Sequence, residues 1–179
     1  MMDTTCKVVI VDGLIYCGRS TLTHAIAEDL EIDAIYNGLQ SVDTYKHLRL
    51  QLEAPPPLII DTFHLTAAAA MRGSGPMPND LTPEQWQLLD DAVARRFGRI
   101  IYLVDTPGRV EERLKADRST WTRERLGMRL QHLNQAFAAS SVARKSSYVL
   151  TQFMDPKTGE KTTQYKRLLN VIREEMNLQ

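Results

Sequence analysis

Val8-Val9-Ile10-Val11-Asp12-Gly13-Leu14-Ile15-Tyr16-Cys17-Gly18-Arg19-Ser20-Thr21 joins a strand, a glycine-bounded loop and a helix start without interruption. The opening residues are apolar and β-branched, with no polar alternation before Asp12. Such a run predicts a strand buried on both faces, as in a parallel sheet. Gly13 to Thr21 then fits the pattern GxxxxG[KR][ST], with Arg19 where lysine is usual. Leu22, Ala25, Ile26 and Leu30 follow at the spacing of one helix face. In this context the pattern is a phosphate cradle. The glycines permit backbone angles that turn several N–H groups inward, and the helix N-terminus adds its dipole. The Ser20 hydroxyl can ligate a Mg²⁺ that bridges phosphates. Gly13, Cys17, Gly18, Arg19, Ser20 and Thr21 are therefore the candidates for holding the phosphates of ATP. Arg19 can do so as a planar, bidentate fork, whereas lysine is a compact point charge.

Outward from this segment, apolar runs predict further strands at Ala34–Tyr36, Leu58–Asp61, Arg99–Asp105 and Ser147–Thr151. Helices are predicted over Tyr45–Leu52, His64–Met71, Thr82–Phe97, Thr106–Ala116, Thr122–Ala139 and Lys161–Met176. Thr82, Pro83 and Gln85 supply an N-cap, a first-turn proline and the third member of a capping box, and Gly98 supplies a stop. Strands alternating with helices predict a parallel sheet covered on both faces. Right-handed crossovers bring the carboxyl ends of the strands to one edge, where ligands bind. Gly13, Asp61 and Asp105 should share that edge. Asp12 has two readings, one as a residue that orders water around a metal and one as a strand terminator.

The 179 residues suit a single domain, and 43% hydrophobic with 25% charged residues excludes a disordered chain. No apolar run approaches the ~18 residues of a membrane span, and the first residues lack the pattern of a secretory signal. Cys6 and Cys17 form no CxxC pair. A cytoplasmic setting is expected. The zero net charge conceals a gradient. Residues 1–61 hold 4 Lys/Arg against 9 Asp/Glu, and residues 109–179 hold 14 against 8. The basic excess is densest at Arg109, Arg113, Lys115, Arg118, Arg123, Arg125 and Arg129. A local cluster in a neutral chain suits a compact polyanion such as a nucleotide and excludes a general DNA-coating protein. His24, His47 and His132 show no metal-ligand spacing.

On three motifs the chain resembles the thymidylate kinase-like branch of the P-loop kinases, especially the short deoxynucleoside monophosphate kinases of bacteriophages. They are Val9-Ile10-Val11-Asp12-Gly13 with Gly18-Arg19-Ser20-Thr21, Ile59-Ile60-Asp61-Thr62-Phe63-His64-Leu65, and Ile101-Tyr102-Leu103-Val104-Asp105-Thr106-Pro107 with Glu112-Arg113 and Arg118 downstream. The resemblance implies an α/β three-layer sandwich with a five-stranded parallel sheet in the order 2-3-1-4-5. It also implies a single domain with an arginine-bearing lid around 113–126, and Mg²⁺-dependent phosphoryl transfer from ATP to a deoxynucleotide. Asp61 would orient the acceptor and share the metal with Ser20, while Arg19, Arg113 and Arg118 neutralise the transferring phosphate. Phe63, His64, Arg123 and Arg125 would serve the acceptor. The sequence leaves the oligomeric state open, with a homodimer among the assemblies it allows. Two positions depart from the family pattern: Arg19, and Thr62 in place of an arginine that grips the acceptor phosphate. Three readings of function stay open. The acceptor is a free monophosphate, or it is hydroxymethyl-deoxyuridine within DNA, or the protein binds nucleotide without turnover.

Overall fold

The computed structural model describes residues 5–37, 44–73, 81–116 and 122–178. Five parallel strands form one sheet: β1 (Val8–Gly13), β2 (Asp33–Tyr36), β3 (Leu58–Asp61), β4 (Arg99–Leu103) and β5 (Arg144–Tyr148), in the order β2-β3-β1-β4-β5. Every residue of β1 and β3 is buried, which is why both read as unbroken apolar runs. The register pairs Val11 with Asp61 and Gly13 with Leu103, so the end of β1 lies between the ends of β3 and β4.

Seven helices cover the described part of the sheet: α1 (Arg19–Leu30), α2 (Thr44–Leu52), α3 (His64–Gly73), α4 (Pro83–Arg95), α5 (Pro107–Ala116), α6 (Arg123–Ala139) and α7 (Thr163–Met176). α1 packs on β1, β2 and β3 and meets α7, whereas α3 packs against α4 and α6, and α2 against α4. The caps follow the residues. Thr82 and Gln85 close the capping box of α4, and Thr122 and Thr162 accept from Arg125 N and Tyr165 N. Tyr165, Leu168, Ile172 and Met176 are the buried stripe of α7, spaced three and four apart. Among the described residues no helix is long and apolar enough to cross a membrane.

One strand differs from expectation. The apolar Ser147–Thr151 segment is not the last strand; β5 begins at Arg144, and Leu150–Gln152 is a 3-10 turn. β5 lies at the sheet edge and is only partly buried. Its charges act elsewhere: Arg144 Nη1 donates to Phe97 O at 2.8 Å, and Lys145 Nζ donates to Phe137 O at 2.8 Å near the end of α6. Leu150 is then free of the sheet and packs against the loop after β1. Two helix ends are also shorter than predicted, with α4 stopping at Arg95 before a left-handed Phe97 and α7 starting at Thr163.

Candidate active site

Gly13 closes β1 at φ +150°, and a Cβ there would stand 2.1 Å from the Leu103 carbonyl oxygen. The loop leaves the sheet where β1 and β4 approach too closely for any side chain. Gly18 caps α1 at φ +93°, and its Cβ would meet Leu150 Cδ2 at 2.3 Å. Both ends of the loop thus depend on the permissiveness of glycine. Leu14 and Cys17 are buried beneath the loop, whereas Ser20 and Thr21 are exposed at the first turn of α1. Burial pushes the Cys17 thiol up to about 12, so it is uncharged near neutrality and inert. Cys6 is buried as well. Thiol titration at pH 8 is expected to find neither cysteine in the native protein and both after denaturation; rapid native labelling of Cys17 would show that the loop opens.

Arg19 folds back into the loop. Its Nη1 donates to Gly13 O and to Thr66 Oγ1, each at 3.1 Å, and stands 4.0 Å from Asp12 Oδ1. Asp12 is fully buried. It accepts from Gly13 N at 2.8 Å, from Phe63 N and Leu65 N at 3.1 Å, from Thr66 N at 3.2 Å and from the Thr66 hydroxyl. Besides ending β1, Asp12 is an anchor that neither of its two readings named: a carboxylate on the N-terminal amides of α3, where backbone donors and helix dipole both favour negative charge.

Asp61 ends β3 beside the phosphate loop. Its Oδ2 accepts from Ser20 Oγ and its Oδ1 from Thr62 Oγ1 at 3.0 Å. Ser20 and Asp61 place hydroxyl and carboxylate oxygens together, a donor set that fits Mg²⁺ completed by phosphate oxygens and water. Among the described residues there is no group of three or more His, Cys, Asp or Glu side chains able to hold a metal. Thr62 adopts φ +66°, a left-handed conformation rare for a β-branched residue. Its N–H donates to Val11 O at 2.9 Å, and its carbonyl accepts from Asn37 Nδ2 at 2.7 Å. Asn37 is in turn gripped by Gln51 and His47 of α2. This polar brace escaped the sequence; its only local signal was the Asn-Gly pair after β2.

The remaining predicted residues divide. Arg113 reaches the site as a strut. Its Nη2 lies 2.8 Å from Asp105 Oδ2, and its Nη1 donates to the Tyr16 carbonyl of the loop at 2.7 Å. Arg109 stands 3.9 Å from the same aspartate. Arg123 and Arg125 are exposed on the first turn of α6, with the Arg123 guanidinium near Gly108 of α5. Phe63 and His64 are fully buried, facing core partners. His64 Nε2 lies 2.8 Å from Asp90 Oδ1, and its ring packs on Phe63 and Trp86. Arg118, in the expected lid, lies outside the described residues. Arg129, which the sequence marked only as part of a basic run, comes to the site: its Nη2 stands 3.5 Å from Thr66 O.

No protein-family model and no curated protein matches the chain by sequence. Solved structures match by shape. The YorR protein of Bacillus subtilis, in complex with phosphorylated GDP, has a TM-score of 0.72 at 16% identity, over 93% of this chain and 96% of its own. Deoxyadenosine kinase from M. mycoides with bound dCTP has a TM-score of 0.57 at 13% identity, over 93% and 99%. Thymidylate kinase from Candida albicans has 0.55 at 11% identity, over 98% and 94%. With the sheet order and the glycine-bounded loop, these neighbours give the chain the α/β P-loop NTPase fold.

Proposed function

We propose that the protein is a P-loop phosphotransferase that moves the γ-phosphoryl group of ATP to a deoxynucleotide. The observation that carries this reading is the contact of Ser20 with Asp61 at the mouth of a loop framed by Gly13 and Gly18. Phosphoryl transfer asks for positioning and charge neutralisation, with little covalent chemistry from the protein. In this reading the backbone of Gly13, Cys17, Gly18, Arg19, Ser20 and Thr21 receives the donor phosphates. Ser20 and Asp61 hold the Mg²⁺, which when bound neutralises phosphate charge. Asp61 also orients the acceptor. Arg113, Arg123 and Arg125 supply a basic rim for the phosphates, Arg118, outside the described residues, is assigned with Arg113 to neutralising the transferring phosphate, and buried Phe63 and His64 shape the acceptor side from beneath. The shared fold with a deoxyadenosine kinase and a thymidylate kinase supports an acceptor of the nucleotide class.

A base within DNA is the second reading. It is favoured by the exposed basic face of α5 and α6, where Arg109 and Lys115 side chains are 62% and 71% accessible and Arg123 and Arg125 are exposed. Labelled ATP offered with nucleosides, monophosphates and hydroxymethyl-deoxyuridine-containing duplex DNA separates the two. Label is expected on a monophosphate. Label on duplex DNA alone, with binding that weakens steeply with salt, would establish the second reading. ATP binding without transfer to any acceptor would leave a nucleotide-binding protein.

A further inference from the structure

Thr66, in the first turn of α3, is where two arginines from distant parts of the chain converge. Arg19 Nη1 of the phosphate loop donates to its side-chain oxygen at 3.1 Å, and Arg129 Nη2 of α6 stands 3.5 Å from its backbone oxygen. Two guanidinium groups thereby meet one residue, Arg19 at its side chain and Arg129 at its backbone, and both arginines are half-buried. Like charges repel strongly in such a place, where the local dielectric is below that of water. Burial and Arg19 both lower the affinity of Arg129 for its proton, while Asp12 opposes them. Asp12 is committed to the amides of α3 and to Thr66, so it serves both arginines from below. A fold that holds two cations together beside a phosphate loop is arranged for an anion between them. The 3.5 Å contact is at the outer limit of a hydrogen bond, and it is one of the bonds that Arg129 makes. A phosphate oxygen would replace it with a shorter, charge-assisted one.

We propose that Arg129 contacts the γ-phosphate of the bound nucleoside triphosphate, acting with Arg19 as the second guanidinium of one anion site. The proposal rests on the phosphotransferase reading for the identity of the anion, and it assigns a role to a residue outside the 113–126 lid. Arg19, at the base of the loop, would hold the donor phosphates from the β1 side. Arg129 would close the same group from α6. A site so formed would favour a triphosphate over a diphosphate, because the contact assigned to Arg129 is to the γ-phosphate, which a diphosphate lacks.

The test compares the full chain with Arg129→Ala and Arg129→Lys, each first checked for an unchanged cooperative melt. Calorimetry with Mg²⁺ and either ADP or a non-hydrolysable ATP analogue gives the binding arm. Arg129→Ala is expected to weaken the analogue by ~10- to 100-fold, the worth of one charge-assisted bond, with ADP affinity held within about twofold of the parent. Steady-state turnover on the best acceptor is expected to fall in parallel and to recover in millimolar guanidinium chloride, but not in equal ammonium chloride. Equal weakening of ADP and analogue, or no weakening of either, overturns the proposal. Should Arg129→Ala fail to fold, Arg129→Lys carries the same comparison, since it keeps the charge and loses the fork. Absent turnover in the parent protein would sink the phosphotransferase reading, while the split between analogue and ADP would still decide the role of Arg129.

Discussion

Arg19→Ala is expected to lower ATP-dependent turnover by ~10²–10³-fold, the usual cost of removing one donor aimed at developing phosphate charge. The arrangement of Arg19 explains why lysine is not its equal here. Nη1 alone satisfies Gly13 O and Thr66 Oγ1, which leaves Nε and Nη2 of the same fork for other bonds. A lysine has one nitrogen on a shorter stem. Its three N–H groups all radiate from that single point, so bracing the loop and meeting a phosphate would be served from one position, without the spread nitrogens of the fork. Arg19→Lys is therefore expected to lose roughly tenfold, in line with one charge-assisted hydrogen bond, despite restoring the commoner loop sequence. Steady-state kinetics of both variants, with melting curves alongside, make the measurement. A lysine variant as active as the parent or better would show that the loop is not built around the guanidinium.

Asp90→Ala is expected to destabilise the protein by about 3–5 kcal/mol, as removal of one partner from a buried charged network does. Asp90 is fully buried on α4. It accepts from His64 Nε2 at 2.8 Å, Ser140 Oγ at 2.5 Å, Ser141 N at 2.6 Å and Ser141 Oγ at 2.7 Å. One carboxylate thus joins α3, α4 and the segment after α6. Burial works to raise its pKa, but the bonds from His64, Ser140 and Ser141 outweigh it and bring the carboxyl down from 3.8 to about 2. A depressed carboxylate stabilises the fold at pH values above its unfolded pKa. That contribution, about 2 kcal/mol by linkage, is fully present above pH ~4 and is lost as pH falls toward about 2. Urea unfolding across this range should show the acid loss in the parent and a flatter limb in Asp90→Ala. Identical acid limbs would mean that the network does not hold Asp90 ionised.

Legibility of the fold from sequence tracked burial. β1, β3 and β4 were readable because covered strands are apolar throughout, and the α4 cap because Thr82, Pro83 and Gln85 act within one turn. β5 was misplaced because an edge strand of Arg-Lys-Ser-Ser-Tyr carries no such signature. The glycine-bounded loop between β1 and α1 was legible for the same local reason as the cap, since its geometry is written in adjacent residues. What escaped was long in sequence separation. Asp12 meets the amides of α3 across more than 50 residues. Arg129 meets Thr66 across 63, and His64 meets Asp90 across 26. The same blindness covers Thr62, whose left-handed backbone is held by Asn37 from another strand end.

The strut made by Arg113 turns two parts of the molecule into one lever. Its guanidinium binds Asp105 after β4 with one nitrogen and the Tyr16 carbonyl with the other. α5 therefore cannot rotate about its base without stretching those bonds or dragging the loop. Occupancy of the loop and the posture of α5 become a single equilibrium read from two ends. By reciprocity, if a ligand in the loop fixes α5, then whatever else fixes α5 tightens that ligand's hold by the same free energy. On the phosphotransferase reading, donor and acceptor bound on such a lever would not arrive as strangers: each would change the other's residence time through one arginine and one peptide oxygen.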